Sequence, residues 1–294
     1  MPTFCRHNRF VQNCPICREP EPPRRRAAST SSASRPRRTA RASSPSRRSG
    51  GTGDLRVRRV ARAAEDGYHS PLVPGLRATA DAERLAEELA FAAGRLTELA
   101  TAPQGAFAEA ATAADRDEGI RLAAEAVLRG DRSPYADEAA ADRGLAALSA
   151  WFDRHGGPGA ALDGDPAWTA QRRFERLFER LGTVGGIGRA RYDLLVVAGA
   201  LGLADVEAPA LLAGDRDDTT IAAKRVFGIG DRLLIDRRAG ELAEAAELPV
   251  AALDLALVNV DRPAGAPRLT GGASEDAADA GAWARAAAAL GVGH

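Results

Sequence analysis

Cysteine and lysine are scarce in this chain of 294 residues. The three cysteines all lie within the first 17 residues, and Lys224 is the single lysine. So small a cysteine cluster excludes the disulfide framework that staples many small secreted domains. We therefore expect a reducing, cytoplasmic environment.

Long apolar runs are absent as well. No stretch of 18 consecutive apolar residues occurs, and the first residues lack the apolar segment of a secretory signal. The sequence thus predicts neither a membrane span nor a membrane partner. Aromatic residues make up only 5 % of the chain, so the core must consist mainly of Leu, Ala and Val.

The formal net charge of zero conceals an uneven distribution of charge. Residues 1–62 carry 16 arginines against three acidic residues, a net charge of +13, which leaves −13 for the remainder. A basic arm on an acidic body indicates that the arm contacts a polyanion such as nucleic acid. The alternative is a solubilising tail that folds back weakly onto the body.

The composition divides the chain into four regions. Residues 20–53 contain Arg, Ser, Pro and Gly but no Leu, Ile, Val, Phe, Tyr or Trp, which predicts a disordered linker. Before it lies a small Cys/His-rich knuckle over 1–19. A helical domain is predicted over 54–262, and a flexible link with a last helix over 263–294.

Apolar residues recur at helical spacing in the predicted domain, and no alternating strand pattern of any length occurs. Two such stripes are Leu85, Leu89, Leu96 and Leu99 in one helix and Phe174, Leu177, Phe178 and Leu181 in another. Asp165 and Pro166 resemble the N-cap and first residue of the second of these helices. The predicted fold class is all-α.

The knuckle has the spacing of a metal site. Cys5-x-His7 and Cys14-x-x-Cys17 form two close pairs separated by a short loop, and three thiolates with one imidazole suit zinc. Four protein ligands leave no open position for a substrate, so the predicted Zn²⁺ is structural. The alternatives are a redox-active CxxC pair and a chance cluster.

A glycine-rich turn between two amphipathic helices marks the middle of the chain, in "FERLFERLGTVGGIGRARYDLLVVAGALG". Gly185, Gly186 and Gly188 would let the backbone approach a phosphate, and N–H groups at the start of the next helix would donate to it. Ile187 would point inward, and the nearby Arg189 and Arg191 have the right charge for a nucleic-acid backbone. The alternative is an ordinary αα-hairpin whose glycines only allow close packing.

A single carboxylate follows in "VFGIGDRLLIDRRAGELA". Asp236 ends the apolar run of Leu233, Leu234 and Ile235 and is expected at or near the N-cap of a helix. Its two interpretations are a simple cap and a catalytic carboxylate.

These two motifs together resemble the helix-hairpin-helix DNA glycosylase superfamily. More specifically, the chain is similar to the alpha-glutamyl/putrescinyl thymine pyrophosphorylase family, clade 3, in the combination of the "CRHNRFVQNCPIC" knuckle, the basic linker, "DGYHSPLVPGLRATADAERLAEELAFAAGRL" and "VFGIGDRLLIDRRAGELA". The resemblance implies a glycosylase-like helical domain that binds duplex DNA with a flipped base. It further implies either base excision or thymine hypermodification by displacement of pyrophosphate.

In that reading Asp236 stabilises the positive charge that develops during the reaction, and Arg237 and Arg238 contact the DNA or the leaving pyrophosphate. Two features depart from the superfamily pattern: the distance from Gly188 to Asp236 is long, and no lysine follows the hairpin glycines. A non-enzymatic DNA-binding module and a helical protein–protein adaptor remain the other hypotheses.

Overall fold

A computed structural model describes residues 63–214, 217–263 and 265–293. Within these ranges the regular secondary structure is helical, without a β-strand, which confirms the all-α prediction. No helix there is both long and apolar enough to cross a bilayer. The helices of the described chain are α1 (Thr79–Thr101), α2 (Gly105–Ala111), α3 (Arg116–Arg129), α4 (Glu138–Arg154), α5 (Pro158–Leu162), α6 (Ala170–Leu181), α7 (Ala190–Ala200), α8 (Asp218–Phe227), α9 (Arg232–Ala245), α10 (Val250–Val260) and α11 (Ala280–Leu290).

Side-chain caps fix where several of these helices begin. Ahead of six helices, a side-chain oxygen accepts a hydrogen bond from the backbone N–H three residues further on, which satisfies an otherwise unpaired donor. The caps are Asp115, Asp137, Thr169, Asp217, Asp231 and Asp279. Each such cap contributes roughly 1 kcal/mol to helix stability.

The start of α6 differs from the sequence prediction. The helix begins at Ala170 behind the cap Thr169, rather than at Pro166. Asp165 accepts a hydrogen bond from the N–H of Ala167 at 2.9 Å, so it stabilises a turn ahead of the helix instead of capping it.

Two hydrophobic cores share the helices. The α1 core consists of α1, α8, α9, α10 and α11, and the α7 core of α3 to α7 with the end of α1 and part of α2. Leu96 and Val250 pack against both cores and join them. The predicted stripes are buried, with Leu85 and Leu89 in the α1 core and Phe174 in the α7 core.

The region after α10, which the sequence set apart as a link and a last helix, contacts α1 extensively. Gly94 of α1 admits the backbone of Ala277, because a Cβ at Gly94 would overlap the Ala277 carbonyl oxygen. Ser274 donates to Glu98 at 2.6 Å, and α11 packs along α1 in the α1 core. The C-terminal helix therefore belongs to the same hydrophobic core as the first helix.

Candidate functional site

Asp236 lies in the second turn of α9, not at its N-cap. Asp231 is the N-cap, since its carboxylate accepts the N–H of Leu234 at 3.1 Å. The side chain of Asp236 therefore does not cap the helix. It is half-buried, and its Oδ1 accepts the backbone N–H of Ala213 at 3.2 Å.

The environment of Asp236 raises the pKa of its carboxyl group above the ordinary value. Burial is the largest cause, because it disfavours the charged form. The backbone N–H groups of Ala213 and Leu212 and the charges of Arg189 and Arg232 oppose that rise. A carboxyl group perturbed by burial and held by specific donors at a cleft is a candidate functional group.

Asp236 lines an open cleft of about 880 Å³ between α6, the segment 209–213 and the first turns of α9. We call it the Asp236 cleft; its wall includes Arg172, Arg176, Phe178, Leu212, Arg232 and Asp236. Clefts of roughly 300–1,000 Å³ are of the size that holds small ligands in proteins. The α6 wall belongs to the α7 core and the α9 wall to the α1 core.

The glycine turn between α6 and α7 has the predicted form. Ile187 is 1 % exposed and packs in the α7 core, which confirms its inward direction. Gly185, Gly186 and Gly188 are exposed, and a Cβ at Gly185 or Gly188 would meet no atom within 4 Å. The turn therefore presents bare backbone to the surface beside the first residue of α7.

The two open glycines differ in backbone conformation, which gives a stability prediction. Gly188 has a φ of +49°, where a side chain is strained, whereas Gly185 does not have positive φ. We expect Gly188→Ala to destabilise the protein by about 1–2 kcal/mol and Gly185→Ala to be close to neutral. Urea unfolding of both variants measures the difference, and equal stabilities would contradict the conformational argument.

Arg189, predicted as a DNA contact, is directed into the protein. Its Nε and Nη2 donate to Oδ1 of Asp254 at 3.0 and 2.5 Å, and its Nη1 donates to the carbonyl oxygen of Leu212 at 3.0 Å. The guanidinium also lies over the Tyr192 ring, 4.0 Å from the ring centroid. In this arrangement its donors are committed to the interior rather than to a ligand on the hairpin surface.

Arg191 remains available at the hairpin. Its guanidinium lies over the ring of Phe178, 3.9 Å from the centroid, and its buried Nε has no hydrogen-bond partner among the described residues. Desolvation lowers the pKa of Arg191, the charge of Arg189 adds to that effect, and Asp217 opposes it. Phe178 also lines the Asp236 cleft, so the stacked pair connects the hairpin to the cleft.

Arg237 and Arg238 are paired on the surface of α9. Both donate to Glu241, at 2.9 and 2.8 Å, in the spacing of i,i+4 and i,i+3 helix pairs. Neither side chain lines the Asp236 cleft. Their placement beside Asp236 in sequence does not bring them into the cleft with it.

A buried cluster of charges joins the two cores, and the sequence reasoning did not identify it. Asp254 of α10 is 1 % exposed and contacts Arg132, Arg189 and the hydroxyl of Thr219, the last at 2.8 Å. Asp193 of α7 pairs with Arg132 at 2.8 Å and with Arg95 at 3.1 Å. The one available signal was a carboxylate inside the otherwise apolar stretch "VAALDLALV".

The predicted zinc ligands Cys5, His7, Cys14 and Cys17 and the basic linker lie outside the described residues. Within 63–214, 217–263 and 265–293, no group of three or more His, Cys, Asp or Glu side chains could hold a metal ion.

No family model matches the chain, and neither the curated proteins nor the solved structures provide a match.

Proposed function

We propose that this protein binds duplex DNA through the glycine hairpin and acts on a flipped base in the Asp236 cleft. The observation that carries the proposal is the connection between the two sites. Arg191 of the hairpin stacks on Phe178, which is also a wall of the cleft that contains Asp236. A base must leave the duplex stack to reach such a pocket, and a hairpin that grips the backbone beside the pocket suits that step.

The resemblance to helix-hairpin-helix glycosylases is part of this proposal. The resemblance implies a glycine hairpin that grips the DNA backbone near a flipped nucleotide and an Asp that acts at the sugar or the base, and we assign these roles to the turn at Gly185, Gly186 and Gly188 and to Asp236. Together with the more specific similarity to the thymine pyrophosphorylase family, clade 3, this resemblance leaves two candidate reactions. One choice is base excision, in which water adds to C1′ as the bond to the base breaks. The other is displacement of pyrophosphate from an exocyclic methylene by a nucleophile.

Both reactions develop positive charge on a carbon atom, and Asp236 would stabilise that charge as a carboxylate. For excision, its raised pKa also suits acceptance of a proton from the attacking water. Arg172 and Arg176 on the opposite wall would hold an anionic phosphate or pyrophosphate group, since guanidinium pairs with phosphate oxygens bidentately. The zinc knuckle of Cys5, His7, Cys14 and Cys17, with the basic linker, would add DNA affinity outside this site.

The test is incubation of the full chain with normal duplex DNA and with hypermodified phage DNA, followed by nucleoside mass spectrometry. A free base indicates excision, and a new nucleoside with released pyrophosphate indicates displacement. Salt-dependent binding without any change of base would favour the second candidate, a non-enzymatic DNA-binding module, because contacts to the phosphate backbone need no reactive group. Absence of DNA binding at low salt would overturn both and favour a protein–protein adaptor.

Arg191 gives a specific binding prediction. Replacing it with glutamine removes a partly exposed cation beside the hairpin, so we expect DNA affinity to fall several-fold and the slope of log affinity against log salt to decrease by about one. Arg143→Gln, which removes the same charge from the exposed face of α4, is the control and should change neither quantity appreciably. Fluorescence anisotropy over a salt series measures both, and equal losses in the two variants would assign Arg191 only a long-range electrostatic effect.

A further inference from the structure

Leu212 occupies a strained position between the buried charge cluster and the Asp236 cleft. Its φ is +50°, and it is one of two non-glycine residues with positive φ in the described ranges. A non-glycine residue in this region of backbone conformation is strained and persists only when its surroundings hold it. Hydrogen bonds hold the turn at Leu212 and Ala213 on both sides, one to the carbonyl oxygen of Leu212 and one from the N–H of Ala213.

Arg189 holds one side of the turn. Its Nη1 donates to the carbonyl oxygen of Leu212 at 3.0 Å, while the next N–H along the chain, that of Ala213, donates to Oδ1 of Asp236 at 3.2 Å. The backbone N–H of Leu212 also stabilises the charged form of Asp236. The Leu212–Ala213 peptide contains both the carbonyl held by Arg189 and the N–H of Ala213, so its position determines where that donor of the Asp236 carboxylate lies.

Asp254 prevents the guanidinium of Arg189 from moving. Two nitrogens of Arg189 donate to one oxygen of Asp254, and that oxygen also accepts the hydroxyl of Thr219. Arg132 pairs with the other carboxylate oxygen. A guanidinium presents its donors in a rigid planar fork, so fixing two nitrogens on Asp254 fixes the third on Leu212.

We propose that Arg189 and Asp254 are positioning residues that hold the Leu212–Ala213 turn and thereby the carboxylate of Asp236 in the cleft. Neither side chain is one that we expect to touch the reacting base. The inference rests on the proposed function in that Asp236 is the reactive group. The effect on Asp236 itself is measurable without any DNA substrate.

The charged surroundings of Asp236 determine how such a measurement is interpreted. Arg189 faces it from the N-cap of α7, Tyr192 from α7 and Arg232 from α9, and the segment 209–213 has no titratable side chain. The α6 wall of the cleft adds Arg172, Glu175, Arg176 and Glu179. Arg189→Lys keeps the positive charge within this set and removes the fork, so a change in Asp236 reports the geometry rather than the charge.

The experiment is NMR spectroscopy of the full chain without DNA, with the Asp236 carboxyl carbon assigned through Asp236→Asn. In Arg189→Lys one nitrogen cannot reproduce the three hydrogen bonds. We expect the Ala213 amide to exchange about tenfold faster, which is the loss of one hydrogen bond. We also expect the pKa of Asp236 to rise. Arg129→Lys breaks a surface pair with Glu125 and Asp142 and should leave both quantities unchanged.

A purely structural role for Arg189 would lower the melting temperature and leave the pKa of Asp236 and the exchange of Ala213 unchanged, and that result would overturn the proposal. If Arg189→Lys does not fold, Thr219→Val is the variant to measure. It removes the hydroxyl that donates to Asp254 and keeps every charge. Faster exchange of the Ala213 amide and a higher pKa of Asp236 in this variant, both smaller than in Arg189→Lys, support the proposal, and their absence overturns it. Because no substrate is involved, a failure here is distinct from a failure to find any reaction on DNA.

Discussion

Asp236→Asn should lower the rate of base modification or excision by roughly 100- to 1000-fold. The amide is nearly isosteric with the carboxylate and can still accept the N–H of Ala213 through its oxygen. It carries no negative charge, so it cannot stabilise a cationic transition state or take a proton from water. Single-turnover reactions analysed by nucleoside mass spectrometry measure the rate, and anisotropy measures whether DNA affinity is retained.

The pKa of Asp236 also predicts a pH dependence. The reactive form is the carboxylate, so activity should fall as pH decreases through the raised pKa of this group. A raised pKa in the folded state adds stability below the ordinary pKa, and that contribution is lost as pH rises through the raised value. At neutral pH the wild-type carboxylate therefore carries a cost, and Asp236→Asn should be at least as stable as the wild type. An active Asp236→Asn variant would remove this residue from the reaction.

Periodicity predicted the helices that matter for the site because a buried helix face repeats its apolar residues locally. The stripe through Phe174 and Leu177 placed α6 against the α7 core, and the glycines around Ile187 marked the turn that follows. Both signals lie within a few residues of one another. The all-α class and the hairpin therefore needed no information about distant parts of the chain.

Cap positions were less certain because several residues near a helix start satisfy the same pattern. In "GDRLLIDRR", Asp231 and Asp236 both precede a helical stretch, and only the structure distinguishes them. Asp231 accepts the N–H of Leu234, and Asp236 is thereby available to face the cleft. The same ambiguity explains why the sequence predicted Asp165 as the cap of α6, whereas Thr169 is the residue that caps it.

The partners of Arg189 and Arg132 were not predictable from local sequence spacing. Arg189 finds Asp254 65 residues further along the chain, and Arg132 finds it 122 residues further along. Local spacing contains no information about such pairs. The sequence placed Arg189 at the DNA surface because this residue follows the hairpin glycines. In the fold, the guanidinium of Arg189 lies instead at the boundary between the two cores.

The buried cluster has a predicted effect on stability. Asp254→Asn should lower the free energy of unfolding by about 3–5 kcal/mol, because it leaves buried guanidinium groups without their counter-charge. Asp142 provides a matched comparison, since it pairs with Arg129 at 2.6 Å on the exposed surface. Asp142→Asn should cost no more than about 1 kcal/mol. Urea unfolding at neutral pH measures both, and similar values would mean that water reaches the Asp254 cluster.

The sign of the pH effect separates this explanation from a simple packing defect. Arg189 and Arg132 hold the pKa of Asp254 well below its usual range, although burial alone would raise it. A depressed pKa gives stability that is fully present above the unfolded-state value of about 3.9 and is lost as pH falls below it. The difference between wild type and Asp254→Asn should therefore be largest near neutral pH and should shrink as pH decreases from about 4 towards 2. A packing defect would give a difference that does not depend on pH. A difference that shrinks in acid would show that the charge of Asp254, and not only its packing, stabilises the contact between the two cores on either side of the Asp236 cleft.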